Sequence, residues 1–159
     1  NYNLNIITNE HYLPFNGIID PYFTDYFHIH IDERWSKFDV CFYDKFLNSL
    51  LTENNTKKYY ITSNINGNEF FIKIKKNLIM KKNIRFNENA SLRELINIIY
   101  NCHTSLSNHT GLTVHAAAAF KKNIIDIVSP ELNLHYDRWI TNKINYKRYN
   151  VKNFTNIFI

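Results

Sequence analysis

Three glycines in 159 residues leave no material for a glycine-rich phosphate loop. Neither a Walker-type loop nor a G-x-G-x-x-G fingerprint is present, which argues against a nucleotide hydrolase and a dinucleotide dehydrogenase. The two cysteines, Cys41 and Cys102, are too few for a disulfide scaffold and lack metal-ligand spacing. Both fall inside expected amphipathic helices, and a reducing cytoplasm is the simple reading. No run approaches the ~20 apolar residues of a membrane span, and no signal peptide opens the chain. No Ser/His/Asp or Cys/His arrangement can be defended, so no catalytic residue is assigned. Because the chain opens on Asn1 rather than Met, a fragment or a processed form is one expectation.

What is present describes a globular protein. Hydrophobic residues make up 45% and aromatic residues 16%, enough to build a core in one domain of ordinary size. Asn, Ile, Lys and Tyr are abundant, in the manner of an A+T-rich coding bias, so the N-x-S/T triplets at Asn54, Asn89, Asn108 and Asn153 read as chance. The formal charge of +5 is carried partly by lysine pairs: Lys57-Lys58, Lys75-Lys76, Lys81-Lys82 and Lys121-Lys122. Their dispersal along the chain reads as a solvated surface.

Residues 1–25 hold Pro14, Gly17 and Pro21 among aromatics without a sustained period, and read as an irregular arm or linker. Tyr26 to Ile31 is the first convincing strand, with Asp32-Glu33-Arg34-Trp35 as its loop. Helical spacing runs from Phe38 to Leu51, a second strand covers Lys57 to Thr62, and a turn with Gly67 follows. The stretch Glu69 to Met80 alternates like a strand but has the length and position of a helix, and helix is preferred. After a short strand at Ile84 to Phe86, Ser91 and Glu94 form a capping box. That box opens a helix with Leu92, Leu95, Ile96, Ile99 and Cys102 on one face.

The block 104–128 then reads strand, polar turn, alanine-rich helix, strand. A helix around Glu131 to Ile140 and a basic aromatic tail over 141–159 complete the chain. The alternation predicts an α/β fold, a Rossmann-like three-layer domain over 26–140 with a mainly parallel sheet and helices on both faces. Ligands in such folds sit at the carboxyl ends of strands near the switch in strand order. The loops of interest are therefore 32–36, 63–68, 87–91, 107–113 and 129–133.

Within the loop Ser107-Asn108-His109-Thr110-Gly111-Leu112-Thr113, one of the few glycines stands where a strand becomes a helix. Glycine there permits unusual backbone angles and close approach of a ligand, and Thr110 can cap. The amides of Gly111 to Thr113 can point at a phosphate, because first-turn N–H groups lack intrahelical partners and the helix dipole is positive there. An ordinary capped turn is the plain alternative. Ala116 to Ala119 are small enough to bring the helix close to the sheet. His115 lies within a turn of this site, as an anion contact or a core histidine. His28 and His30 share a strand face but have no third ligand at a usual spacing, so they are read as structural and no metal is expected. Asp32, Glu33 and Arg34 offer acid/base and phosphate-pairing groups, or simply a local ion pair.

The segments Ser91-Leu92-Arg93-Glu94-Leu95-Ile96 and Ser107 through Lys122 resemble the C-terminal, nucleotide-sugar-binding half of GT-B glycosyltransferases. The likeness is to the heptosyltransferase-like enzymes of bacterial lipopolysaccharide and surface-glycan synthesis. Their pattern is a helix of this type, a strand, "DTG" or "GGL", a histidine and "AAA". Phe27 to Ile31 with Asp32-Glu33-Arg34-Trp35 is similar to the start of that domain. The resemblance implies a nucleotide-diphosphate sugar donor, with Asn108, Thr110, Gly111, Leu112 and Thr113 around the diphosphate, His115 nearby and Arg34 pairing the phosphates. It places the loop Asn87 to Ser91 near the nucleoside.

It further implies a glycan or lipid-linked acceptor, a separate N-terminal domain supplying the catalytic base, no bound cofactor or metal, and a cytoplasmic location, peripheral to the inner face of a membrane. His109 stands where the family often has Asp, and His115 lies four residues past Gly111 rather than three. A non-catalytic nucleotide- or protein-binding module of the same fold is the alternative. Nucleic acid is not expected as a partner, since the basic tail with Tyr146, Lys147, Arg148, Tyr149 and Lys152 suggests it by composition only.

Overall fold

The computed structural model describes residues 23–38, 40–52, 57–108, 110–128 and 145–153. Six strands, β1 (Tyr26–Ile31), β2 (Tyr59–Ser63), β3 (Ile84–Asn87), β4 (Cys102–Ser107), β5 (Asn123–Val128) and β6 (Tyr146–Asn150), form one sheet in the order β3-β2-β1-β4-β5-β6. Every neighbouring pair is parallel. The helices are α1 (Val40–Thr52), α2 (Glu69–Leu78), α3 (Leu92–Asn101) and α4 (Gly111–Ala119), with a 3-10 turn over Glu33–Lys37 after β1. The expected Rossmann-like α/β sheet is thus the observed one.

The helices divide between the two faces as the crossovers require. On one face Phe27, Ile29, Ile31, Tyr59 and Ile61 pack under α1 and α2 in a core centred on the fully buried Trp35. Trp35 stacks against Phe70 at 5.4 Å and meets Phe46 edge-on at 5.2 Å. On the other face Tyr26, Cys102 and Ile124 pack under α3 and α4 through Leu95, Ile98, Ile99, Val114 and Ala117. Central parallel strands covered on both faces are near-continuously apolar. Here β1 is buried at all six positions.

Glu69–Leu78 is helical because Phe70, Phe71, Ile74 and Leu78 recur at helical spacing and are all buried, whereas the apparent alternation includes the exposed Ile72 and Lys73. Asn68 caps it, accepting from the amide of Phe71. The capping box at Ser91 and Glu94 is present.

Three expectations need correction. Tyr146–Asn150, placed in a tail beyond a boundary at residue 140, is the sixth strand and pairs with β5. In α3 the buried residues are Leu95, Ile98 and Ile99, while Leu92 is 62% exposed. Cys102 starts β4 rather than lying within the helix. The expected helix at 131–140 lies outside the described residues.

Candidate functional site

The strand order reverses between β1 and β4. From β1 the chain leaves towards α1 on one face, and from β4 it leaves towards α4 on the other. In open α/β sheets the ligand position is the crevice at the carboxyl ends of two such strands. Its walls are Asp32 and Arg34 on one side and Asn108, Thr110 and the start of α4 on the other.

Asp32 joins the two walls. Its carboxylate caps the 3-10 turn by accepting from the amide of Arg34 at 3.0 Å, and pairs with the Arg34 guanidinium at 2.8 Å. It also accepts from the Thr110 hydroxyl at 2.5 Å. Nη2 of Arg34 donates in turn to Oγ1 of Thr110 at 2.9 Å. The local ion pair foreseen for Asp32 and Arg34 exists, and it reaches across 76 residues of sequence to α4. Asn68, the N-cap of α2, braces the same loop, its Nδ2 donating to the Asp32 carbonyl at 3.1 Å.

Thr110 consequently does not cap its own helix. It occupies the N-cap position of α4 but makes no side-chain capping bond, since its hydroxyl is turned to Asp32. In α2 and α3, by contrast, Asn68 and Ser91 accept from first-turn amides. The first-turn amides of α4 thus have no intrahelical partner and no side-chain cap from Thr110. The helix is set firmly: Thr113 donates to Ser107 at 2.8 Å, and Val114 and Ala117 are buried against the sheet. Of the four alanines, only Ala117 is fully buried.

The other anticipated residues are mixed. Asn108 is buried at the end of β4. Gly111 is exposed and lies outside the left-handed region, and a Cβ there would meet nothing nearer than Nδ1 of His115 at 3.9 Å. The fold itself does not demand glycine at this position. Leu112 is half-buried, packed against the core under α4, rather than facing outward alone. His115 is exposed, and its ring folds back on the Gly111 carbonyl within the helix. The loop after β3 lies at the same sheet edge but three strands from β4, roughly 14 Å at the usual strand spacing.

His28 and His30, expected to be structural, join Ser105 and Thr62 in a buried polar row beneath the crevice. Ser105 and Nδ1 of His28 lie 2.9 Å apart, Nε2 of His28 and Thr62 3.0 Å, and Thr62 and Nδ1 of His30 2.9 Å. All four residues are almost wholly buried. Burial holds His28 well below the usual histidine range, and it depresses His30 to about 4 against the opposing pull of Asp32. Nε2 of His30 is buried without a hydrogen-bond partner. The one available signal was the His-x-His spacing on an otherwise apolar strand.

No family model matches the sequence, and no characterised protein aligns significantly with it.

Proposed function

We propose that this chain is the donor-binding half of a glycosyltransferase, holding a nucleotide-diphosphate sugar across the crevice between β1 and β4. The observation that carries this reading is the amino end of α4, which the Thr110 side chain does not cap, beside Arg34 at the switch point of a parallel sheet. A diphosphate is the ligand that such amides and a guanidinium bind best, because backbone donors, helix dipole and a fixed cation act on one anion. Arg34 is paired with Asp32, so an entering diphosphate would share the guanidinium with that carboxylate. The motif order shared with GT-B enzymes supports a sugar nucleotide over other phosphates. The acceptor and the catalytic base come from a partner domain in this reading, and the product is a bacterial-type surface glycan.

Calorimetric titration with UDP-, GDP- and ADP-sugars, and with a CMP-sugar as the monophosphate comparison, tests it. One donor class is expected to bind at micromolar to millimolar concentration, with the free sugar showing no heat. Equal or absent binding of all four nucleotides would remove the proposal.

A further inference from the structure

A cavity of about 470 Å³ lies on the α1–α2 face of the sheet, at the carboxyl side of β1 and β2. Its volume falls within the range of small-molecule sites, roughly 300–1,000 Å³, and its lining includes neither Arg34 nor any residue of α4. It is separate from the diphosphate site.

The apolar wall is aromatic and rigidly held. Tyr43 of α1 stacks on Phe70 of α2 with ring centroids 4.1 Å apart, and Phe70 stacks in turn on the fully buried Trp35. The Tyr43 hydroxyl donates to the Trp35 carbonyl, which fixes a half-buried ring at the cavity. Ile65, half-buried in the loop after β2, adds an aliphatic surface. Gly67 turns that loop with φ +76°, and a Cβ there would meet nothing within 4 Å, so the wall is open at this point. Asn68 holds the loop in place by capping α2 and bonding the Asp32 carbonyl.

The charges on this cavity run against those of the chain, whose formal net charge is +5. Among the described residues, Glu33, Glu69 and Lys73 are the charged side chains that line it. Nζ of Lys73 stands 3.1 Å from the Asp44 carboxylate, so the lone lining ammonium is already engaged. Glu69 by itself would be an acid placed to suit the dipole of α2. Glu33 comes from a different element, the 3-10 turn after β1, and brings a second exposed carboxylate to the same cavity. Aromatic rings with carboxylates beside them favour a cation, through the ring quadrupole and direct charge attraction. A phosphate or carboxylate ligand would meet repulsion here.

We propose that this cavity binds a small organic cation, an ammonium carried on a flat apolar body. The ammonium meets the Glu33 and Glu69 carboxylates and the body lies against Tyr43 and Ile65. The proposal does not rest on the nucleotide reading, since the two sites report through different amides.

Three probes of one shape test it at neutral pH: phenethylamine, its neutral analogue phenylethyl alcohol, and the anion phenylacetate, each titrated into the full chain while amide chemical shifts are followed. Phenethylamine is expected to move Ile65, Gly67 and Glu69 saturably at millimolar concentration, and to bind about fivefold or more tighter than the alcohol. Phenylacetate should leave them in place. Glu33→Gln combined with Glu69→Gln changes two exposed side chains, and should erase the preference for the amine while keeping the weaker binding of the alcohol. Retained alcohol binding also shows that the variant is folded. Equal binding of the three probes, a preference unchanged in the double variant, or shifts absent from these residues would each overturn the proposal.

Discussion

Thr110 gives its hydroxyl to Asp32 instead of to α4, and the adjoining positions separate a binding role from a folding role. Gly111 adopts a backbone conformation open to any residue, and a Cβ there has room. Gly111→Ala should therefore leave stability unchanged or raise it by up to about 1 kcal/mol, through the unfolded chain. If a diphosphate approaches this backbone, the same change weakens binding several-fold. Thermal denaturation and calorimetry on one variant distinguish the two effects. Arg34→Ala leaves the buried Asp32 carboxylate without its guanidinium, so its stability cost should be about 2–3 kcal/mol, while donor affinity falls about tenfold or more. The ratio of those losses is diagnostic, because a purely structural arginine would move stability alone.

The histidines make a pH prediction with a definite sign. His28 and His30 are kept neutral in the folded protein, so below the ordinary histidine pKa of ~6.5 the unfolded chain binds more protons. Stability is fully present above that pH. It falls as the pH drops towards about 4, the value to which burial depresses His30. The loss from His30 is on the order of 3 kcal/mol across that window. Urea midpoints measured from about pH 7 down to about pH 5, above most carboxylate titration, should decline, and His30→Gln should flatten the slope.

At the scale of elements, local signals were read most securely where a single interaction decides the outcome. The Ser91–Glu94 box is visible in four consecutive residues and is formed. The face that its helix buries is a tertiary matter. A helical stripe through Leu92 and Ile96 fits the periodicity as well as one through Leu95, Ile98 and Ile99, and packing against Val114 and Ala117 selects the second. Ile98→Ala should accordingly cost about 2–4 kcal/mol, whereas Leu92→Ala, at a residue 62% exposed, should change the urea midpoint by little more than error. The Asp32–Thr110 contact was equally hidden, since its partners are 78 residues apart and no local pattern couples them.

Across the whole molecule, alternation of strand and helix made the parallel sheet legible, but the sixth strand was not. Tyr146-Lys147-Arg148-Tyr149-Asn150 is half polar because β6 is covered less fully than the central strands, each of its residues being half-buried or exposed. Its charged side chains resemble a tail until Tyr146 is seen donating to the buried Asp126 at 2.6 Å. The lysine pairs before β2, β3 and β5 form a basic edge for the same reason, because a parallel sheet puts all its strand starts on one side. Topology, absent from any local window, thus sets both the crevice and the basic edge.

The proposed diphosphate site joins the amino end of α4 to Arg34. Amide chemical shifts during titration with a nucleotide-diphosphate sugar test it most directly. Saturable shifts are expected at Gly111, Leu112 and Thr113 and at the Arg34 side chain, abolished in Arg34→Ala. Shifts located elsewhere, or none at millimolar ligand, would contradict it.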